Sequence, residues 1–246
     1  MAMTRGIIIV SLGPRQELVR KLVNNIKNNT DLPVALVTDS PHELPVIMIK
    51  VQHDSLKWLD HPRWGVRNCN TLSASASLTL FESSCILNDD MRIVSPNFVD
   101  GFTLAERFGV CVPLNPRIYV KYNAQGADAE PNDFVPERDG PEYGPACNVS
   151  PMFVCKMHNS AKTLIEAYLV ELQVCMRGTL AFARASWRCG VAPVYLPEHW
   201  CVCGSSARPV RDTVKIIRGV KQTIEPMMLH WGQEEVRRVF ARKDLS

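Results

Sequence analysis

The sequence is short of several things, and each shortage narrows the choice of function. None of its 246 residues falls in an apolar run near the roughly 20 needed for a helix to cross a bilayer. Charge of one sign is also scarce: 28 Lys and Arg stand against 25 Asp and Glu, a net +3. That balance gives no argument for nucleic acid, and the basic residues are scattered. Arg237, Arg238, Arg242 and Lys243 do gather near one end, in the manner of a solvated helix face. Cysteine pairs with metal-ligand spacing are missing. Cys201 and Cys203 form C-x-C with Cys189 nearby, but a zinc site wants four ligands and no C-x₂-C is present. The opening "MAMTRGIIIVSLG" lacks the longer apolar region and small-residue cleavage site of a secretory signal. Nine Cys, an odd number, in a chain too long to need staples then imply free thiols, a reducing compartment and a cytoplasmic location. In that setting the sequon "NVS" at Asn148 carries no information.

What remains is an ordinary globular composition, 46% hydrophobic and 22% charged, sufficient for one domain over residues 1–246. The first 120 residues alternate strand and helix signals. "GIIIVSL", "LPVALVTD", "LPVIMIKV", "CILNDD" and "VCVPL" read as strands. "PRQELVRKLVNNIKNNT" reads as a helix, with Leu18, Val19, Leu22, Val23 and Ile26 on one face and Pro14 suited to its first turn. "WGVRNCNTLSASASLTLF" and "NFVDGFTLAERFG" read as further helices. Such alternation predicts an α/β fold, a mainly parallel sheet with helices on both faces. Residues 121–147, rich in Pro, Gly, Asp and Glu and without apolar period, read as a flexible loop. Residues 148–246 add strand-like "NVSPMFVCKM", the helices "NSAKTLIEAYLVELQVCM" and "RGTLAFARASWRCG", the segment "APVYLPEHWCVCG", and a strand ending at His230 followed by a helix.

In parallel sheets ligands bind at the carboxyl ends of strands, and Ser11, Asp39 and the run Asn88-Asp89-Asp90 all fall there. Two adjacent carboxylates repel, and burying either is costly unless a cation or donor compensates. They are either a solvated turn or a place where positive charge arrives. Hard oxygen ligands of this kind suit Mg²⁺ or Mn²⁺ carrying a substrate phosphate. His230, in "MMLHW", is an acceptable third ligand if the fold brings it near, and otherwise a structural histidine.

Together "ILNDDM" and "LHWGQEE" resemble the nucleotide-sugar glycosyltransferases of GT-A fold, in particular retaining members such as the glycogenin-like and lipopolysaccharide galactosyltransferases. "RGTLAFARASWRCGVAPVYLPEHW" resembles a stretch of bacterial and viral glycosyltransferases. The resemblance implies a divalent ion, Mn²⁺ or Mg²⁺, held by Asp90, Asp89 and His230 against the diphosphate of a nucleoside-diphosphate sugar, with a glycan or glycoprotein as acceptor. Asp89 would lie near the ribose or metal, and Asn88 stands where an acid is usual. An acid or Gln expected near Thr179 is missing, and Cys201 replaces an Asn. The lack of an evident general base, together with the late His230, points to retention of configuration.

Arg67, beside Asn68, reads as a donor to the diphosphate or the acids, and equally as a surface residue at a helix start. Asp39 reads as a base or ribose contact, or as a helix cap. Ser11 and Gly13 offer a close backbone approach for a nucleotide, or a plain turn. Asn148, Ser150, His199 and Trp200 read as acceptor-side residues, with strand packing and core burial as the alternatives. Two other functions stay open. A sugar nucleotidyltransferase would want a Gly-rich basic loop after the first strand, where "SLGPRQE" has one Gly and one Arg. A nucleotide- or sugar-binding module without turnover would account for Asn88 and the missing acid.

Overall fold

Five successive branched or small residues, Gly6 to Val10, sit at the middle of strand β1 (Arg5–Ser11), and Ile7, Ile8, Ile9 and Val10 are all buried. A run apolar on both sides of the pleat belongs in a sheet covered on both faces. The computed structural model describes residues 3–13, 15–51, 64–114, 120–121, 143–144, 147–175, 178–204, 214–217, 220–223 and 228–231, with the backbone path alone for 64–67, 120–121, 143–144, 198, 202–204, 214–217, 220–223 and 229–231. After β1 come helix α1 (Gln16–Lys27), strands β2 (Val34–Thr38) and β3 (Ile47–Lys50), and helix α2 (Trp64–Thr79). Strands β4 (Ser83–Asn88) and β5 (Met91–Ile93), helix α3 (Asp100–Phe108) and strand β6 (Val110–Pro113) follow.

A small antiparallel pair, β7 (Val120–Lys121) with β8 (Tyr143–Gly144), ties the base of the segment read as a loop; 122–142 lie outside the described residues. The chain continues through β9 (Met152–Cys155), α4 (Asn159–Val174), α5 (Gly178–Cys189), β10 (Val194–Leu196) and β11 (Val202–Gly204). A hairpin of β12 (Val214–Ile217) and β13 (Val220–Thr223) precedes β14 (Met228–Trp231). The strand expected to end at His230 runs one residue further, and the helix expected after it lies outside the described residues.

The main sheet has seven strands in the order β10-β6-β9-β4-β1-β2-β3. It is parallel except at β9, which runs antiparallel to both β4 and β6. Strands from before and after the 121–147 segment thus share one sheet. The pleat sorts their side chains by parity. Ile7, Ile9, Leu36, Cys85, Leu87 and Phe153 join α1 and α3 in one core. Ile8, Val10, Val37, Ile86 and Val154 join α2, α4 and α5 in the other. Each fully buried Ile or Leu contributes about 1.5–3 kcal/mol, so neither core tolerates a register shift.

The order also fixes where a ligand fits. From β1 the chain goes out through β2 to β3 along one side of the sheet, with α1 on one face. It then returns through α2, on the opposite face, to place β4 on the other side of β1. Between β1 and β4 the winding reverses, and open α/β sheets leave a crevice outside the carboxyl ends of such a strand pair.

Candidate functional site

The carboxyl ends of β1 and β4 are held side by side by parallel pairing, with Val10 opposite Asn88 and Ser11 opposite Thr38 of β2. Beyond Ser11 the chain turns at Gly13, whose φ of +83° is a conformation that other residues rarely adopt. The turn is pinned twice. Gly13 N–H donates to Asp39 Oδ1 at 2.8 Å, and Ser40 Oγ donates to the Gly13 carbonyl at 3.0 Å. Asp39 is therefore the strut of the β1–α1 turn.

That turn delivers Arg15 to the acidic run. Arg15 stands at the N-cap position of α1 but makes no capping bond with its side chain. Its Nη1 instead donates to Asp89 Oδ1 at 2.6 Å, while Ser11 Oγ donates to Asp89 Oδ2 at 2.6 Å. Asp89 is 4% exposed and Arg15 27%. Burial pulls the Arg15 pKa down, but its hydrogen bond to Asp89 and the charges of Asp89 and Asp90 outweigh that, so the net shift is upward. The guanidinium is a fixed positive charge. On the α2 side lies Cys69, whose thiol is pushed up to about 12 by burial and by the nearby Asp89 and Asp39, against the opposing pull of Arg15 and a bond with the Leu12 backbone. It is a neutral wall residue at ordinary pH. Next to it Asn68 is 1% exposed, and its Nδ2 has no hydrogen-bond partner among the described residues.

His230 comes to the same place through a second sheet, β11-β14-β5. Antiparallel pairing of β14 with β5 sets His230 opposite Met91, the residue after Asp90. The structure thus brings the backbone of His230 beside the acidic turn, across a wide separation in sequence. No group of three His, Cys, Asp or Glu side chains suited to a metal occurs among the described residues, and the His230 side chain is outside them. For a divalent cation, Asp90 offers a partly exposed hard-oxygen donor at the turn. Asp89 is already engaged, one oxygen accepting from Arg15 and the other from Ser11.

The remaining expected residues separate into supports and core. Ser150, expected to meet sugar hydroxyls, is 4% exposed. Its Oγ accepts the Asn88 N–H at 2.8 Å and donates to Met91 Sδ at 3.1 Å, so it braces the acidic turn from beneath. Asn148 is buried at the sheet, with its N–H donating to the Pro113 carbonyl at 2.9 Å. Trp200, expected as a sugar platform, is 6% exposed and stands edge-on to Phe153 at 5.9 Å. Its apolar face is taken by the core, which is the larger gain for an indole. His199 beside it is partly exposed in a short 3₁₀ turn, Glu198–Trp200. Arg67 lies on the first turn of α2, with its side chain outside the described residues.

Arg15 is the residue that reasoning from sequence passes over. The signal is in "SLGPRQE": a lone Arg two positions beyond a glycine turn at the carboxyl end of a buried strand.

No protein-family model matches the chain, and no curated protein sequence matches it. Solved structures do. Mouse xyloside xylosyltransferase 1, in its apo form, aligns with a TM-score of 0.60 at 12% identity, over 94% of this chain and 98% of that one. The galactosyltransferase LgtC, in complex with donor and acceptor sugar analogs, aligns with a TM-score of 0.59 at 9% identity, over 96% of this chain and 95% of that one. An active-site mutant of LgtC gives 0.58 at 8% identity over the same shares. The chain is similar to these glycosyltransferases in fold: it carries the GT-A architecture, a mixed α/β unit on a mostly parallel seven-stranded sheet, over nearly its whole length.

Proposed function

We propose that this chain is a glycosyltransferase that moves a sugar from a nucleoside-diphosphate sugar to a glycan or protein-linked acceptor. The observation that carries the reading is the meeting of Asp89, Asp90, Arg15 and the His230 backbone at the switch point of a GT-A sheet. In this reading Asp90 and His230 hold Mn²⁺ or Mg²⁺, which when bound supplies Lewis acidity toward the departing diphosphate. The chain's own groups do the rest. Ser11 and the Gly13 turn admit the nucleotide close to the backbone, and Asp39 keeps that turn in place. Ser150 fixes the height of the acidic turn through the Asn88 N–H. Asn68, with a buried amide nitrogen in need of an acceptor, stands on the α2 side of the crevice, and Arg67 precedes it on the same helix as a donor to the diphosphate. Asn148 and His199 stand on the acceptor side. No transmembrane-capable helix occurs among the described residues.

The test is a hydrolysis and transfer screen over a panel of nucleotide sugars with Mn²⁺, repeated with Asp90→Ala. Sugar release by the parent chain, abolished in a variant that keeps its circular dichroism and melting temperature, supports the reading. Normal turnover by Asp90→Ala with metal present refutes it. A second reading, a nucleotide-binding module without turnover, is favoured by the engagement of Asp89 with Arg15 and Ser11 and by Asn88 in place of an acid. Titration with UDP and GDP separates the two: tight binding with no sugar release from any donor selects the module.

A further inference from the structure

The acidic run is only half of what the fold assembles at the switch point, and the basic half has a specific geometry. A guanidinium presents five N–H donors in a rigid fork. Among the described residues, Arg15 makes one hydrogen bond through that fork, from Nη1 to Asp89 Oδ1. The Nε and Nη2 edge carries no other bond among them. A base that served only to neutralise Asp89 would turn a two-donor edge toward the carboxylate, as Arg5 does toward Glu106 with Nε and Nη2 both at 2.6 Å. Arg15 does not do so: it meets Asp89 through Nη1 alone, and Ser11 donates to the second Asp89 oxygen at 2.6 Å. The fold therefore pins the guanidinium by one nitrogen and leaves its bidentate edge over. The side chain is 27% exposed beside a carboxylate that is 4% exposed. It also lies within the electrostatic reach of Asp90, between the ends of β1 and β4 where a ligand enters.

We propose that Arg15, oriented by Asp89 and Ser11, is the anion clamp of this site and takes the pyrophosphate of the nucleotide through its Nε/Nη2 edge. A planar fork matches two phosphate oxygens at once, which a lysine does not. Asp89 is then a positioning residue: it aims Arg15 and is not itself a ligand to the metal. The inference rests on the glycosyltransferase reading for the identity of the anion, and it assigns a separate job to each of the two neighbouring acids. It also gives a use to the basic residue of "SLGPRQE", which is too poor in glycine to cradle a triphosphate by its backbone alone.

The experiment is isothermal calorimetry of the full chain with UDP, GDP and inorganic pyrophosphate, each with Mn²⁺ and with chelator, and with uridine and guanosine as ligands lacking the anion. Arg15→Gln weakens the diphosphates by about tenfold to hundredfold, the worth of one or two charge-assisted hydrogen bonds, and changes nucleoside binding less than about twofold. Arg15→Lys retains charge without the fork and falls between. Because Arg15→Gln strands a buried carboxylate, the paired variant Arg15→Gln with Asp89→Asn, which leaves no buried charge unpaired, provides the folded control. It shows the same selective loss. Asp89→Asn alone, with Arg15 no longer aimed, loses part of the diphosphate affinity in the presence of chelator. Unchanged UDP and GDP affinity in the paired variant, where the parent chain binds them, overturns the clamp and leaves the glycosyltransferase reading standing. A parent chain that binds no diphosphate even with Mn²⁺ overturns both.

Discussion

The commitment of Asp89 to Arg15 is measurable without any ligand, by a double-mutant cycle on stability. The perturbations are Arg15→Gln, Asp89→Asn and the two together. Breaking a fully buried ion pair by removing one partner costs about 3–5 kcal/mol, whereas an exposed pair is worth about 0–1 kcal/mol. This pair lies between those limits. The acid is 4% exposed and the base 27%, and Ser11 goes on serving one oxygen when Arg15 is gone. Discounting the buried figure for that solvent and that hydroxyl puts Arg15→Gln at about 2–3 kcal/mol. Asp89→Asn leaves a cation that still has Asp90 and water, which lowers its cost to about 1–2 kcal/mol. The double replacement leaves no stranded charge, for a total of about 1–2 kcal/mol and a coupling of about 2 kcal/mol. At about 2–4 °C per kcal/mol for a chain of this size, Arg15→Gln melts visibly early. The assay is urea unfolding of the four proteins, followed by circular dichroism and fluorescence to confirm a single transition, at low and high salt. Burial of the acid keeps most of the coupling in high salt. A coupling below about 0.5 kcal/mol, the scatter of independent sites, would refute the reasoning that Asp89 is held by this pair.

Three further outcomes follow from other parts of the structure. Ser150→Ala removes the acceptor of the Asn88 N–H and the donor to Met91. It should destabilise by about 1–2 kcal/mol and, by releasing the acidic turn, weaken Mn²⁺-dependent UDP binding in calorimetry. Gly101→Ala places a Cβ 2.4 Å from Phe153 Cζ, a ring already wedged against Phe102 and Trp200 at 5.4 and 5.9 Å. The overpacking of about 1–3 kcal/mol exceeds the helix-propensity gain of up to about 1 kcal/mol, so chemical denaturation should show a lower midpoint. Finally, burial lifts the thiols of Cys69, Cys111 and Cys147 from 9.0 to about 12. The folded chain holds these protons while the unfolded chain releases them, so the associated stability is intact below 9.0 and is lost as pH rises toward 12. Urea midpoints under reductant should fall between about pH 8 and about pH 10, and equal midpoints would contradict the burial of the three thiols.

The fold was legible wherever the physics is local. The apolar run of β1 predicted a strand covered on both sides, and the spacing of Leu18, Val19, Leu22, Val23 and Ile26 predicted the inner face of α1; the structure buries all of these but Leu18, which is partly covered. Even the Ser-rich α2 holds as a helix. Its hydroxyls bond its own carbonyls, as Ser77 Oγ does to Ala74 O at 2.7 Å and Thr79 Oγ1 to Ser75 O at 3.2 Å, while Ala74 and Ala76 fill the core side. The site was legible only as far as the strand ends. Asp89, Asp90, Ser11 and Asp39 are placed by the period of a single strand or the residue after it. Arg15 reaches Asp89 across 74 positions, and Ser150 reaches Asn88 across 62. Such contacts depend on the strand order and on the Gly13 turn, which no periodicity encodes. Trp200 fails as a sugar platform for a related reason: an indole in sequence carries no sign of whether a Phe from β9 will cover it.

The coexistence of two adjacent carboxylates also has an answer in these contacts. Asp89 is buried because a guanidinium and a hydroxyl meet it, while Asp90 is only partly covered and acts on the same guanidinium through its field. Counting Asp89, Asp90 and Arg15 alone, one base between two acids leaves a single net negative charge, which still attracts a cation but no longer excludes an anion. In the proposed complex the diphosphate of a nucleoside-diphosphate sugar adds two negative charges. Without a metal the cluster would then hold three uncompensated charges, and with a divalent ion only one. Removing Arg15 instead would leave two with the metal and four without it. The guanidinium and the ion are therefore complementary, and neither replaces the other. Arg15 lowers the repulsion the diphosphate meets on approach, and a divalent ion at Asp90 supplies the charge that Arg15 alone cannot. This division requires that diphosphate affinity fall in two separable steps, one on adding chelator and one on replacing Arg15, and that neither step alone abolish it.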